Sequence, residues 1–212
     1  MNYLELINKC LVELNYKQVN AFSELIKNDH KKLKNIINVL NSEICRSDRW
    51  NFLQRKTTMT IPPNTGEIEN TVNGRIETVI INGQKYNYYE DYEKFFTNSQ
   101  PSYTYSFYDD KILFPIFNTE KTVEILYYTN NYAKDAEGEE KLIMENETDS
   151  SLIPEPLSEP LLVYGACMRL KGNPQHIRFS YWLSMYKDAL ANLRSRISAT
   201  VNEVPSVNIR RH

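Results

Sequence analysis

The chain has 212 residues, 41% of them apolar and 25% charged, with a formal net charge of −2. These values suit a folded protein with a sizeable core and exclude general disorder. The near-neutral balance supplies no global drive toward nucleic acid or a membrane surface. One bias stands out: 15 tyrosines against 6 glycines. Tyrosine works half-buried, with an apolar body and a polar tip, so the bias points to a β-rich segment, to contact surface, or to both.

In chain order, Leu4, Ile7, Leu11 and Leu14 recur at helical spacing and predict a first amphipathic helix, with Asn15 suited to end it in the left-handed conformation. A second helix carries Leu33, Ile36, Ile37, Leu40 and Ile44 on one face and Lys31, Lys32 and Lys34 outside. Asn28 or Asp29 is placed to cap its start, and it fades near Arg49-Trp50. From residue 57 the period changes to two. Strands are expected over 57–61, 75–81, 84–88, 103–108, 111–114 and 122–128. Asn82-Gly83 joins the second and third as a type I′ hairpin, and Asp109-Asp110 turns the fourth into the fifth.

Residues 135–151 are rich in Asp and Glu and read as a solvated acidic connector. Helices resume after Pro154-Glu155-Pro156. Leu157, Leu161, Tyr164, Gly165 and Met168 share a face, and Gly165 would let another helix approach closely. Gly172-Asn173-Pro174 ends that helix. A last helix, about 175–198, carries Trp182, Tyr186, Ala189, Leu193 and Ile197, with Arg178, Lys187, Arg194 and Arg196 on its other faces. The expected fold is α+β: a four-helix bundle formed by N- and C-terminal helix pairs, with an inserted, mostly antiparallel β domain. Its parts are N-terminal helices at 1–56, the β insert at 57–134, the acidic linker at 135–156, C-terminal helices at 157–199, and an extended tail at 200–212.

Residues that could carry chemistry are few. Neither a nucleophile elbow nor a phosphate-cradling glycine loop is present. His30, His176 and His212 are isolated and read as solvated or helix-end residues. Cys10, Cys45 and Cys167 are too widely spaced for a zinc site or disulfide framework. Cys45, beside Arg46 and Arg49, could be an activated thiol, but its place next to the apolar stripe favours a buried structural one. Asp109 and Asp110 suit a turn better than paired catalysis. The expectation is no enzyme, no cofactor and no metal. No apolar run reaches membrane-span length, and the start lacks signal-peptide features, so synthesis and folding in a cytoplasm are expected.

The order of these features resembles the head-to-tail adaptors of short-tailed bacteriophages, the gatekeeper or tail tubular A-type connectors. The matching stretches are Leu14-Asn15, Arg49-Trp50-Asn51-Phe52, the strand at 57–61, Arg75 to Val79, Pro101-Ser102-Tyr103, the run 111–115, Glu124-Ile125-Leu126-Tyr127-Tyr128, Ile153-Pro154, Ala166-Cys167 and the helix at 181–193. The acidic loop and the lack of a glycine after Leu14 depart from the family pattern. The resemblance implies a structural virion protein at the head–tail interface, assembled in the host bacterial cytoplasm. It would form a homo-oligomeric ring, usually of twelve subunits, that joins the portal protein to tail or other connector proteins. Double-stranded DNA would pass through its channel without sequence-specific binding, and no membrane is involved. The family's portal-contacting position falls here on the tail, at Val207, Ile209, Arg210 and Arg211. Candidate subunit contacts are Tyr103, Tyr105, Phe107 and Phe114 on the insert, with Arg178 and Arg194 on the last helix. The competing reading is a phage-encoded DNA-associated or regulatory module using its basic helices.

Overall fold

The computed structural model describes the backbone of residues 1–201 and the side chains of residues 1–196. Two compact units emerge: residues 1–52 with the chain from 132 onward, and residues 53–131. The first is helical and the second is a β-sheet, so the chain leaves the helical unit once and returns to it once.

Asparagine begins and ends the first helix, α1 (Tyr3–Glu13). The Asn2 side chain accepts from the Glu5 N–H while Glu5 accepts from the Asn2 N–H, which satisfies two otherwise orphaned donors. At the other end Asn15 adopts φ +58°, as expected, and the N–H groups of Asn15 and Tyr16 return to the carbonyls of Val12 and Leu11. Helix α2 (Asn28–Ser47) buries Leu33, Ile37, Leu40 and Ile44. The expected cap is absent: Lys27 holds the N-cap position with no side-chain bond, and Asp29 instead accepts from the Tyr16 hydroxyl at 2.9 Å.

The centre of this unit is the helical segment formed by a π-turn (Pro160–Tyr164) and α4 (Gly165–Lys171), which follows the short α3 (Glu93–Phe96) of the other unit. Residues 161, 162, 163, 165, 166 and 167 are all buried, so apolar character runs around the segment rather than along one stripe. That is the pattern of a helix enclosed by others, here α1, α2 and α5 (Phe179–Val201). Gly165 allows the enclosure. A Cβ there would lie 2.4 Å from Leu40 Cδ2 and 3.2 Å from the Tyr186 ring. Gly165→Val is therefore expected to destabilise this unit by about 1–3 kcal/mol through overpacking, read as a lowered urea midpoint followed by helical circular dichroism. Gly172 ends α4 with φ +58°.

The last helix starts at Phe179 and not at 175, because Asn173 to His176 form turns. Arg178 donates to the Glu13 carboxylate at 3.1 Å, and the buried Trp182 indole N–H donates to the same group at 2.9 Å. Arg194 donates to Asp48 at 3.1 Å and Arg169 bonds Glu43. These pairs tie α5 and α4 to α1 and α2.

The segment expected as a solvated acidic connector is a folded part of the helical unit. It forms a three-stranded sheet of β8 (Ala133–Lys134), β9 (Glu140–Lys141) and β10 (Ser150–Ser151), in the order β10-β8-β9. Asn38 of α2 donates to the Met144 carbonyl and accepts from the Met144 N–H. Buried Asn41 donates to the Tyr132 carbonyl and accepts from Ser151. The carbonyls of Asp149 and Glu147 accept from the N–H groups of Tyr3 and Leu4, at the positive end of α1. Glu137, Glu139 and Glu145 remain exposed.

The β unit holds seven strands: β1 (Gln54–Ile61), β2 (Glu67–Glu69), β3 (Gly74–Ile81), β4 (Gln84–Tyr88), β5 (Thr104–Tyr108), β6 (Lys111–Leu113) and β7 (Lys121–Thr129). Their order is β1-β7-β3-β4-β5-β6-β2, antiparallel except for the β4–β5 pair. The edge strands β1 and β2 approach each other, so the sheet curls toward a barrel around Ile61, Val79, Ile112, Phe114, Val123 and Ile125. Asn82 and Gly83, at φ +52° and +77°, make the expected hairpin turn.

Candidate functional site

The described residues offer contact surfaces, and no group of three or more His, Cys, Asp or Glu among them could hold a metal ion. All three cysteines are buried. Burial pushes the Cys45 thiol up to about 12, the opposite of an activated nucleophile. His30 is 5% exposed and neither ring nitrogen has a hydrogen-bond partner, so it is a core residue beside Tyr16 and not a solvated one. His176 stacks on Trp182 at 5.0 Å, and His212 lies outside the described residues. Asp109 and Asp110 form the tight turn between β5 and β6, with Asp109 at φ +54°.

The structure separates the contact residues expected on the insert. Phe114 is 1% exposed and Tyr105 is 6% exposed; both belong to the core of the sheet and present no surface to a partner. Burial, then Tyr88 and Glu77, raise the Tyr105 phenol above its ordinary value. Phe107 is half-buried against the same core. Tyr103 is 53% exposed, with φ +56°, a conformation that a bulky side chain seldom adopts. Its ring meets Tyr86 edge-on at 5.7 Å. Arg178 and Arg194 are partly exposed, but each already holds a carboxylate of its own chain. Val207, Ile209, Arg210 and Arg211 lie outside the described residues.

A second aromatic group, formed around α3, is the more exposed. Tyr92, Phe96 and Tyr108 are 37%, 58% and 47% exposed, and their rings pack on one another. Tyr92 and Tyr108 lie 5.1 Å apart, and Phe96 meets Tyr108 edge-on at 5.2 Å. Phe96 also walls a hollow of about 220 Å³ with Phe95, Leu113, Gly66, Glu67 and Ile116, the last 50% exposed. Sequence reasoning passed over this group because α3 has four residues, too few to show a period. The available signal was density: Tyr88, Tyr89, Tyr92, Phe95 and Phe96 within nine positions.

The helical unit has a surface of opposite character. Between α1 and the second turn of α2, Ile26 is 75% exposed, and Lys17, Lys27, Lys31 and Lys32 surround it in sequence with exposed side chains. Lys17, Lys31 and Lys32 make no ion pair among the described residues.

A helical bundle interrupted by a curled, aromatic-rich sheet, with exposed aromatic and lysine-bearing surfaces, offers faces for contact with other proteins. The family model for the SU10 adaptor protein matches residues 1–210, and the chain belongs to that family. No curated protein matches the chain. Membership makes it a non-catalytic structural virion protein, an adaptor that joins portal and tail.

Proposed function

We propose that the chain acts as one subunit of a homo-oligomeric ring, of about twelve copies by the family's habit, docked beneath the portal at the head–tail interface of the virion. The ring extends the DNA channel, and duplex DNA passes without sequence-specific binding. The observation that carries this reading is the family match over residues 1–210, which runs through both units and almost to the last residue.

The segment after α5 is the portal contact in this reading. Val207 and Ile209 provide apolar anchors, while Arg210 and Arg211 add charge. Helix α5 runs through Val201, so removing residues 202–212 spares every described element. The shortened protein should keep the circular dichroism and unfolding midpoint of the full chain, yet lose binding to portal rings in co-sedimentation. Undiminished binding would sink the assignment of the tail. In the DNA-associated alternative Arg178 and Arg194 on the last helix are each tied to a carboxylate of this chain, which leaves that reading to the exposed Lys31 and Lys32 of α2.

A further inference from the structure

We propose that the exposed aromatic group around α3 docks onto the lysine-rich surface around Ile26 of a second copy of this chain. The inference rests on the ring reading above and names the two faces that would meet.

A ring contact is heterologous, so each subunit needs two unlike, complementary faces. The first face is apolar at its centre: Tyr92, Phe96, Tyr108 and Ile116 are each exposed by a third or more, and the three rings are already packed on one another. Aromatic rings fixed by mutual packing lose little side-chain freedom on binding, which suits them to the centre of an interface. The rim of this face is acidic. Glu90, Asp91, Glu93, Asp109 and Asp110 are all exposed around the rings. The two lysines beside them are occupied, Lys94 by Asp91 and Tyr89, Lys111 by Glu67. Such a rim repels phosphate and selects a cationic partner with an apolar centre.

The chain carries a face of that description. Ile26 is the second most exposed large apolar side chain described, after Ile177, and the exposed Lys17, Lys27, Lys31 and Lys32 flank it in sequence, outnumbering the one exposed carboxylate of that stretch, Glu24. The acidic face has an apolar centre and a negative rim, whereas the Ile26 face has an apolar centre and a positive rim. In this docking Ile26 of one copy enters the hollow of about 220 Å³ beside Phe96 of the next.

Disulfide trapping tests the contact, because the native cysteines are all buried and leave added ones to react alone. Ile26→Cys and Phe96→Cys proteins are mixed with portal rings and oxidised, with Val12→Cys, which is 52% exposed, as an off-interface control. The expected result is a 26–96 linked pair about tenfold above the 26–26, 96–96 and 12–96 products. Lys31→Glu with Lys32→Glu should cut that yield about tenfold, and Glu90→Lys with Glu93→Lys on the partner should restore it. A yield no higher than the control, or one indifferent to the charge reversals, overturns the proposal. Electron micrographs of the same mixtures separate the two ideas. Rings without 26–96 links reject only this docking surface, whereas the absence of both rings and links rejects the ring reading with it.

Discussion

Replacing Phe114 by alanine is expected to cost about 3–5 kcal/mol and to melt the β unit, where the sequence alone suggested a weakened contact between copies. The ring is 1% exposed and packs with Ile61, Val79, Ile112, Val123 and Ile125 inside the curl of the sheet. Tyr105 lies 6.5 Å from it, ring to ring, and the Phe114 N–H donates to the Gly66 carbonyl at 2.7 Å. Removing the side chain leaves a void bounded by strands that are bonded to one another and cannot collapse to fill it. A loss of this size is a large share of the roughly 5–15 kcal/mol that holds a typical domain folded. Amide exchange in β3 and β7 should therefore accelerate strongly. Tyr103→Ala removes a half-exposed ring, and exchange in the same strands should change little. If the two variants behave alike, the core assignment of Phe114 is wrong.

The contrast between these two aromatic positions, Phe114 and Tyr103, shows what could be read from sequence. Local devices were legible because each depends on a residue type with one physical use. Asn82-Gly83 supplies two positive φ values, Asn15 ends α1 and Gly172 ends α4 by the same means, and Gly165 leaves room for Leu40 and Tyr186. The helix-pair plan and the insert followed from the change of period. The facing of the β5 residues did not. Strand alternation predicts one face in and one out, but Thr104, Tyr105 and Ser106 are all buried because the start of that strand is covered on both sides. The second aromatic group escaped for another reason: rings from α3 and β5 meet only after the chain has turned between them. Counting charge also misled at 135–151. The partners of that segment, Asn38, Asn41 and the first N–H groups of α1, lie about a hundred residues or more earlier.

Asp149 is the centre of that misread segment, and its removal should be the other severe substitution. The side chain is fully buried. Its Oδ2 accepts from the N–H groups of Glu145 and Asn146 at 2.7 and 2.9 Å, while Lys141 Nζ lies 3.6 Å from Oδ1. Its backbone carbonyl caps α1 through the Tyr3 N–H at 2.7 Å, so the loop it shapes is also the loop that closes the first helix. Asp149→Ala leaves two N–H donors without their acceptor and Lys141 with Asp135 alone, 3.9 Å away, an expected cost of about 3 kcal/mol at neutral pH. Asp149→Asn retains an acceptor but loses the charge, and should fall between alanine and the native residue. Burial acts to raise the carboxyl pKa, but the N–H groups of Asn146 and Glu145 together with Lys141 outweigh it and hold the value below the ordinary one. A carboxyl lowered in the folded state stabilises fully above its unfolded value, about 3.9, and loses that contribution as pH falls through the folded value. Urea midpoints of native protein and Asp149→Ala should thus differ widely at pH 7 and converge as the solution is taken below about pH 4. A gap that stays constant down to the lowest pH at which both remain folded would mean that Asp149 acts by shape alone, without its charge.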